Sequence, residues 1–303
     1  MAIAATTAPG ATPTPVNATS ERAQARRETL RLLFRRPGFL VGVALLTFWV
    51  ISAVLAMLGL HFTPWDPFDG YDLTIDNPAP PSSAHLFGTD RLGRDVLSRV
   101  LYGARDVFTV APPAALIGVV FGTILGLVMG FYRGLVDDII SRVVEAFLSL
   151  PVIMVALLTL VVLGSSSIVV IGVVGVLFTP IVARTVRSAV LAERQLDYVT
   201  AARLRGESGP FIMVREILPN ILGPIIVELT VRFGYAIFTV ATLSFLGVGL
   251  QPPSPDWGLS VSQEYSNMIS GVWWPTVFPA LAIATTVVAV NLIADGLQSV
   301  LSE

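Results

Sequence analysis

Apolar and polar positions alternate in long blocks along this 303-residue chain. Apolar runs fall at Phe39–Leu60, Phe108–Phe131, Val144–Leu163, Ile168–Ala183, Ile221–Leu246 and Val277–Ala294. An α-helix rises about 1.5 Å per residue, so about twenty such residues cross a roughly 30 Å hydrocarbon layer. The pattern therefore predicts an all-α integral membrane protein with six transmembrane helices. The fourth run is the shortest and contains Pro180. It is expected to continue as an amphipathic helix through Arg184, Arg187 and Arg194 into water.

The polar blocks divide the rest. Met1 to Glu21 is rich in Ala, Thr and Pro with no apolar period, and reads as disordered. It lacks the short apolar region of a secretory signal, and its Asn17-Ala18-Thr19 sequon reads as chance. With Arg22, Arg26, Arg27, Arg31, Arg35 and Arg36 it forms a basic, disordered cytoplasmic tail over residues 1–37. The expected division continues with a first transmembrane helix at 38–60, an extracytoplasmic segment at 61–105, and a core domain with five further helices at 106–303. Basic residues favour the cytoplasmic side, and an even number of spans returns the chain to it. Both termini, the Arg133 turn and the loop from Arg184 to Arg215 are thus expected in the cytoplasm. Arg91, Arg94, Arg99 and Arg105 fall on the outer side, but they sit among Asp90, Asp95 and Asp106, so that segment is closer to charge-balanced. In that outer segment Asp95–Tyr102 is expected to be a short amphipathic helix. A second outer segment, Gln251–Pro275, carries Pro252, Pro253, Pro255, Trp257, Trp273 and Trp274. Its tryptophans read either as membrane-interface anchors or as a docking surface for an external protein.

Composition supports the membrane reading and removes several chemistries. The chain is 54% hydrophobic and 13% charged, about half the charge of a soluble domain. It has no cysteine, so disulfides and thiolate chemistry are excluded. All 19 basic residues are arginine, and a P-loop needs a lysine on the nucleotide phosphates, so the chain is not its own ATPase of that type. The two histidines, His61 and His85, fall in the outer segment and cannot serve a serine within the bilayer. Gly164-Ser165-Ser166-Ser167 reads as a turn between spans, because no strand precedes it. No metal-ligand spacing and no basic, aromatic-interleaved patch for nucleic acid is evident.

Three constellations stand out. Gly118, Gly122, Gly126 and Gly130 repeat every four residues and form a groove on one helix face for close helix approach, within the chain or at a subunit seam. Glu228 and Arg232 lie at i and i+4 inside the fifth run; they read as a mutual ion pair or as part of a transport path. Asn291 and Asp295, near the inner end of the sixth run, are ambiguous. The third constellation is the loop Gln195–Pro219. Asp197 is expected to cap a helix over Tyr198–Arg205, Gly206 to end it in the left-handed region, Ser208 to cap a second helix with Pro210 in its first turn, and Pro219 to break that one. Ala201 and Ala202 would leave a flat spot for a partner. As a purely structural element the loop would be an amphipathic helix on the bilayer. A secondary transporter or channel, and a membrane scaffold, are the competing classes, although no internal repeat is evident.

Thr200-Ala201-Ala202, Gly206 and Ile217-Leu218-Pro219 resemble the loop motif of the permease subunits of binding-protein-dependent ABC importers. His85-Leu86-Phe87-Gly88-Thr89-Asp90-Arg91-Leu92-Gly93-Arg94-Asp95-Val96-Leu97-Ser98-Arg99, Leu243-Ser244-Phe245-Leu246-Gly247-Val248-Gly249-Leu250-Gln251-Pro252-Pro253 and Asp256-Trp257-Gly258 are similar to the C-type permeases of dipeptide, oligopeptide and nickel importers. The resemblance covers residue 30 onward. It implies a type I importer permease fold and a coupling loop at 195–219 whose Tyr198, Thr200, Ala201, Ala202, Arg205, Gly206, Leu218 and Pro219 meet an ATPase. It further implies a second, homologous permease subunit, two cytoplasmic ATPase subunits that hold ATP and Mg, an extracytoplasmic peptide-binding protein, a bacterial inner-membrane location, and no cofactor in this chain. Two positions depart from the family pattern: Thr200 stands where a glutamate is usual, and Val240 stands near a frequent acidic position.

Overall fold

A computed structural model describes residues 33–60 and 62–301. The tail read as disordered, most of its arginines, its sequon and His61 lie outside the described residues. Helices dominate, and the only bridges among the described residues are the isolated pairs Tyr71–Arg94 and Thr89–Asp95. The elements are α1 (Pro37–Met57), α2 (Val96–Tyr132), α3 (Leu135–Leu148), α4 (Val152–Leu163), α5 (Ser167–Glu193), α6 (Asp197–Leu204), α7 (Leu222–Phe245), α8 (Trp257–Glu264) and α9 (Trp274–Leu301). Of these, α1, α2, α5, α7 and α9 are long and apolar enough to cross a membrane.

The third expected span is not one helix. α3 and α4 meet at an angle of 84°, and together they make the sixth crossing if the bent pair counts as one. Neither piece is long enough alone, at about 21 and 18 Å from the helical rise. Pro151 causes the break. It has no N–H to continue the ladder, its ring disfavours a helical Leu150, and it starts the new helix by accepting from the N–H groups of Met154 and Val155. By contrast, the short outer helix expected at Asp95–Tyr102 and the second span are one 37-residue helix, so the expected boundary at 105/106 falls inside α2. Asp95 caps it, accepting from the Ser98 N–H at 2.8 Å. The fourth span does run on past Pro180, through Arg184 and Arg187 to a cap at Arg194.

α2 and α5 form the central contact. A Cβ added at Gly118 would lie 2.7 Å from Phe178 Cβ, at Gly122 2.5 Å from Val182 Cβ, at Gly126 2.7 Å from Val186 Cβ, and at Gly130 2.6 Å from Val190 Cβ. Both sequences advance together by four residues, so the helices run parallel, and Gly175 answers from the other side against Ile117. The glycine groove is filled within the chain and not left open for another subunit. α7 packs on α2 and α9, and α1 on α9 and α2.

At the end of the bundle remote from the 195–219 loop, residues 62–95 and 247–273 form a polar-cored cap. His85 is buried between Asp95 (2.9 Å) and Asp72 (3.3 Å), with its ring stacked on Trp65. Arg94 pairs with Asp90 at 2.6 Å, and Arg99 donates to the carbonyls of Pro67 and Ser254. Hydrogen bonds of this kind are what let charged groups be buried at tolerable cost. Two tryptophans are neither interface anchors nor a docking surface. Trp257 is fully buried and donates to the Val100 carbonyl at 2.8 Å, and buried Trp274 donates to the Thr89 carbonyl at 3.0 Å. Only Trp273 is exposed, at 47%. Asp256 caps α8 through the Leu259 N–H, yet its Oδ2 is buried without a partner, and burial pushes its carboxyl up to about 6.

Two outcomes follow. Replacing Gly122 with Val puts branched carbons into Val182; overpacking of this kind costs about 1–3 kcal/mol. Thermal unfolding in detergent should show a clear loss, whereas Gly172→Val, where a Cβ meets nothing within 4 Å, should be nearly neutral. The raised pKa of Asp256 means the folded state holds its proton more tightly than the unfolded chain. Its contribution is therefore full below pH about 4 and is lost as pH rises through about 6. Asp256→Asn retains the cap and should flatten the stability–pH profile across that window, measured by melting temperature against pH.

Candidate functional site: the loop between α5 and α7

α6 differs from expectation at its start. Its N-cap is Leu196, which has no capping oxygen, and Asp197 is the first helical residue. The carboxylate there still faces the positive end of the helix dipole. The C-terminus behaves as Gly206 demands. Gly206 has φ +79°, its N–H reaches the Arg203 carbonyl, and the Glu207 N–H reaches back to the Ala202 carbonyl. This paired closure needs a left-handed residue after the cap, and glycine supplies one without a Cβ penalty.

The second helix is less regular than its sequence suggests. Ser208 has extended geometry but makes no capping bond through its side chain. Pro210 falls in the first turn of Gly209–Phe211, as expected. Ile212–Ile217 is then a π-helix, followed by Leu218–Asn220. Pro219 offers no N–H to the Arg215 carbonyl and crowds it, which widens the turn before it. The chain breaks at Ile221, two residues beyond Pro219, and α7 begins at Leu222. Asn220 donates to the Glu216 carbonyl at 2.8 Å just before that break.

One face of this assembly is seated in the bundle. Val199, Ala202, Ile212 and Ile217 are buried against Val186 and Val190 of α5 and Leu127 and Phe131 of α2. The two alanines therefore have opposite roles: Ala202 is the seat, and only Ala201 faces outward. Thr200, Ala201, Leu204, Arg205, Val214 and Pro219 form the exposed face, with Leu204 86% exposed. Polar clamps hold the shape. The Tyr198 hydroxyl donates to Glu193 at 2.6 Å, and its pKa is pushed up to about 12 by burial and by that bond. Arg205 reaches Glu216 at 3.3 Å and Glu207 at 3.8 Å, and Leu218 is half-buried beneath. The loop is thus a rigid, docked knob and not a helix lying loose on a bilayer.

The other two constellations lie elsewhere in the bundle. Gly118, Gly122, Gly126 and Gly130 lead to the loop, since Gly130 meets Val190, part of its seat. Glu228 and Arg232 form the expected pair at 2.8 Å within α7, and the Arg232 guanidinium lies 4.9 Å from the Tyr235 ring centroid. A largely apolar cavity of about 360 Å³ lies beside Tyr235, with Asn291 and Asp295 among its lining. Val240 is 1% exposed inside the apolar core. One contact had no signal in the sequence: Arg187 of α5 grips Asp137 of α3 with two 2.6 Å bonds, across fifty positions of chain. The seat residues did carry a signal, because Val199 and Ala202 have the i, i+3 spacing of one helical face.

Residues 122–303 match the family model described as binding-protein-dependent transport system inner membrane component. A putative peptide transport system permease protein of Brucella suis is 40% identical over 275 residues, 90% of each chain. The dipeptide transport system permease protein of Escherichia coli K12 is 40% identical over 271 residues, 88% of this chain and 89% of its own. The glutathione transport system permease protein of Pectobacterium atrosepticum is 38% identical over 261 residues, 86% of both. With several membrane-length helices and a rigid polar loop between α5 and α7, the chain belongs to the inner-membrane permease components of binding-protein-dependent ABC transport systems.

Proposed function

We propose that this permease carries short peptides inward as half of a heterodimer with a second, homologous permease. Two ATPase subunits would sit against the 195–219 loop on the cytoplasmic side, where both termini also lie, and would hold the ATP and Mg. A peptide-binding protein would deliver substrate to the cap formed by residues 62–95 and 247–273. The relatives named for peptides, dipeptides and glutathione support this substrate class. The observation that carries the coupling role is the docked knob. Its buried face is seated on α2 and α5, while Thr200, Ala201 and Leu204 remain outward for a partner.

The mechanics follow from that seating. Closure of the ATPase pair on ATP pushes on Asp197–Leu204 and on the turn at Gly206. α6 cannot yield alone, because Val199 and Ala202 sit on α2 and α5, which the glycine contact joins along their length. The Asp137–Arg187 pair adds α3 to the moving unit. Energy reaches the path only through contacts that differ between the two states, and the knob is where such contacts form.

Two measurements test this. Gly206→Val forces a branched residue to φ +79°, which costs about 1–2 kcal/mol in the left-handed region. Combined with Ala201→Trp on the exposed face, it should abolish peptide uptake and peptide-stimulated ATP hydrolysis while protein levels in the membrane persist. Intact uptake, or tagged wild-type protein that brings down no ATPase, overturns the reading. For Glu228 and Arg232, reversing both charges together should impair uptake less than reversing either alone, because the pair is re-formed with opposite polarity. Equal, additive losses would show that the two act separately.

A further inference from the structure

The parallel register of α2 and α5 has an effect beyond the glycines. Gly130 faces Val190, so one turn further on Arg194, the cap of α5, arrives beside the turn at Arg133 and Gly134 that ends α2. Arg203 of α6 completes the group from below, with its guanidinium 5.1 Å from the centroid of the Phe131 ring. Three arginines from three elements thus converge where the knob meets the bundle.

Among the described residues none of the three makes an ion pair. Arg194 Nη1 is buried and has no hydrogen-bond partner. Burial, and then the fields of Arg203 and Arg133, lower the pKa of Arg194, and no carboxylate opposes them. Four acids of this region have partners of their own: Glu193 is held by Tyr198, Glu207 and Glu216 by Arg205, and Asp137 by Arg187, with the field of Arg133 added. Helix C-termini attract arginine through their dipoles, which accounts for Arg133 and Arg194 singly. It does not account for placing a third cation beside them, or for desolvating a donor without giving it an acceptor.

We propose that Arg133, Arg194 and Arg203 form a cationic, hydrogen-bond-donating site for a carboxylate side chain of the ATPase subunit. The site borders the exposed face of α6, where Thr200 supplies no acid of its own. The charge of this grip therefore resides in the permease as cations, and its complement on the partner is acidic. A planar guanidinium fork suits a carboxylate, and exposed Arg133 and Arg203 with half-buried Arg194 leave such forks accessible to one. The proposal rests on the importer reading, because it needs an ATPase docked on the same loop.

The test uses the full transporter purified in detergent, with ATPase retention followed across a salt series. Hydrogen bonds to charged groups contribute about 1.5–3 kcal/mol, so Arg194→Gln with Arg203→Gln should weaken ATPase association about ten-fold or more and flatten its salt dependence. Arg203→Lys should retain most of the binding. Arg184→Gln, which removes an exposed cation from the same helix outside the trio, should leave retention unchanged. Retention and salt slope identical in the double variant and the unmodified chain would overturn the proposal. So would unchanged retention combined with a stability that tracks the anionic phospholipid content of vesicles, which would make the site a headgroup pocket. If the unmodified chain retains no ATPase, the importer reading falls with it, whereas failure of the variants alone removes only this inference.

Discussion

Backbone-to-backbone contact between α2 and α5 is the constraint on which the rest of the molecule depends. In lipid, burying apolar surface gives two helices little reason to associate, so close packing has to supply the adhesion. Four glycines on α2, each facing a large side chain four residues beyond the last, let the helices approach along their whole shared length. That approach aligns their ends. At one end it builds the apolar seat of the knob from Leu127, Phe131, Val186 and Val190. Toward the other, α2 extends into the cap, where Gly103 admits the ring of Trp257 against its backbone. A rigid central pair with a docked element at each end is well suited to carrying displacement from one side of a membrane to the other.

Much of this was legible in the sequence, and the failures have identifiable causes. Long apolar runs with arginine flanks located the crossings because a bilayer imposes a length that few other settings require. Gly206 announced its role because a left-handed turn after a helix has few alternatives to glycine. Three features were misjudged where apolarity outweighed a local breaker or a tertiary contact. The run Val144–Leu163 looked continuous, since hydropathy does not register that Pro151 lacks an N–H. Trp257 and Trp274 looked like interface residues, but the acceptors of their indole N–H groups, the carbonyls of Val100 and Thr89, are far away in the chain. Ala201 and Ala202 looked equivalent, although adjacent helical positions point about 100° apart. The Asp137–Arg187 pair and the arginine trio were invisible because they depend on which helices become neighbours.

The polar interior is divided unevenly. The cap holds a paired network, in which His85, Asp90, Arg94, Asp95 and Arg99 each find partners, although Asp256 Oδ2 in the same cap has none. Such networks favour a single arrangement when every member is satisfied. The knob side differs: its outward face mixes Thr200 and the Arg205 pairs with apolar Ala201, Leu204 and Val214, and among the described residues Arg133, Arg194 and Arg203 beside it make no ion pair. A surface of that kind is incomplete as it stands, and the membership of the chain in a multi-subunit transport family supplies the reason.

The placement of the tryptophans gives the molecule an optical asymmetry. All five, Trp49, Trp65, Trp257, Trp273 and Trp274, lie in or against the cap, and none lies in the 195–219 loop. The indoles of Trp257 and Trp274 sit in dry, hydrogen-bonded seats, while that of Trp273 meets the surroundings. Tryptophan fluorescence of this chain therefore has no probe at the knob. A change in its emission reports an environment about 45 Å away, by the rise of α2 from Val100, which meets Trp257, to Phe131 in the seat. The protein carries its own long-range reporter, with the sensor at one end and the chromophores at the other.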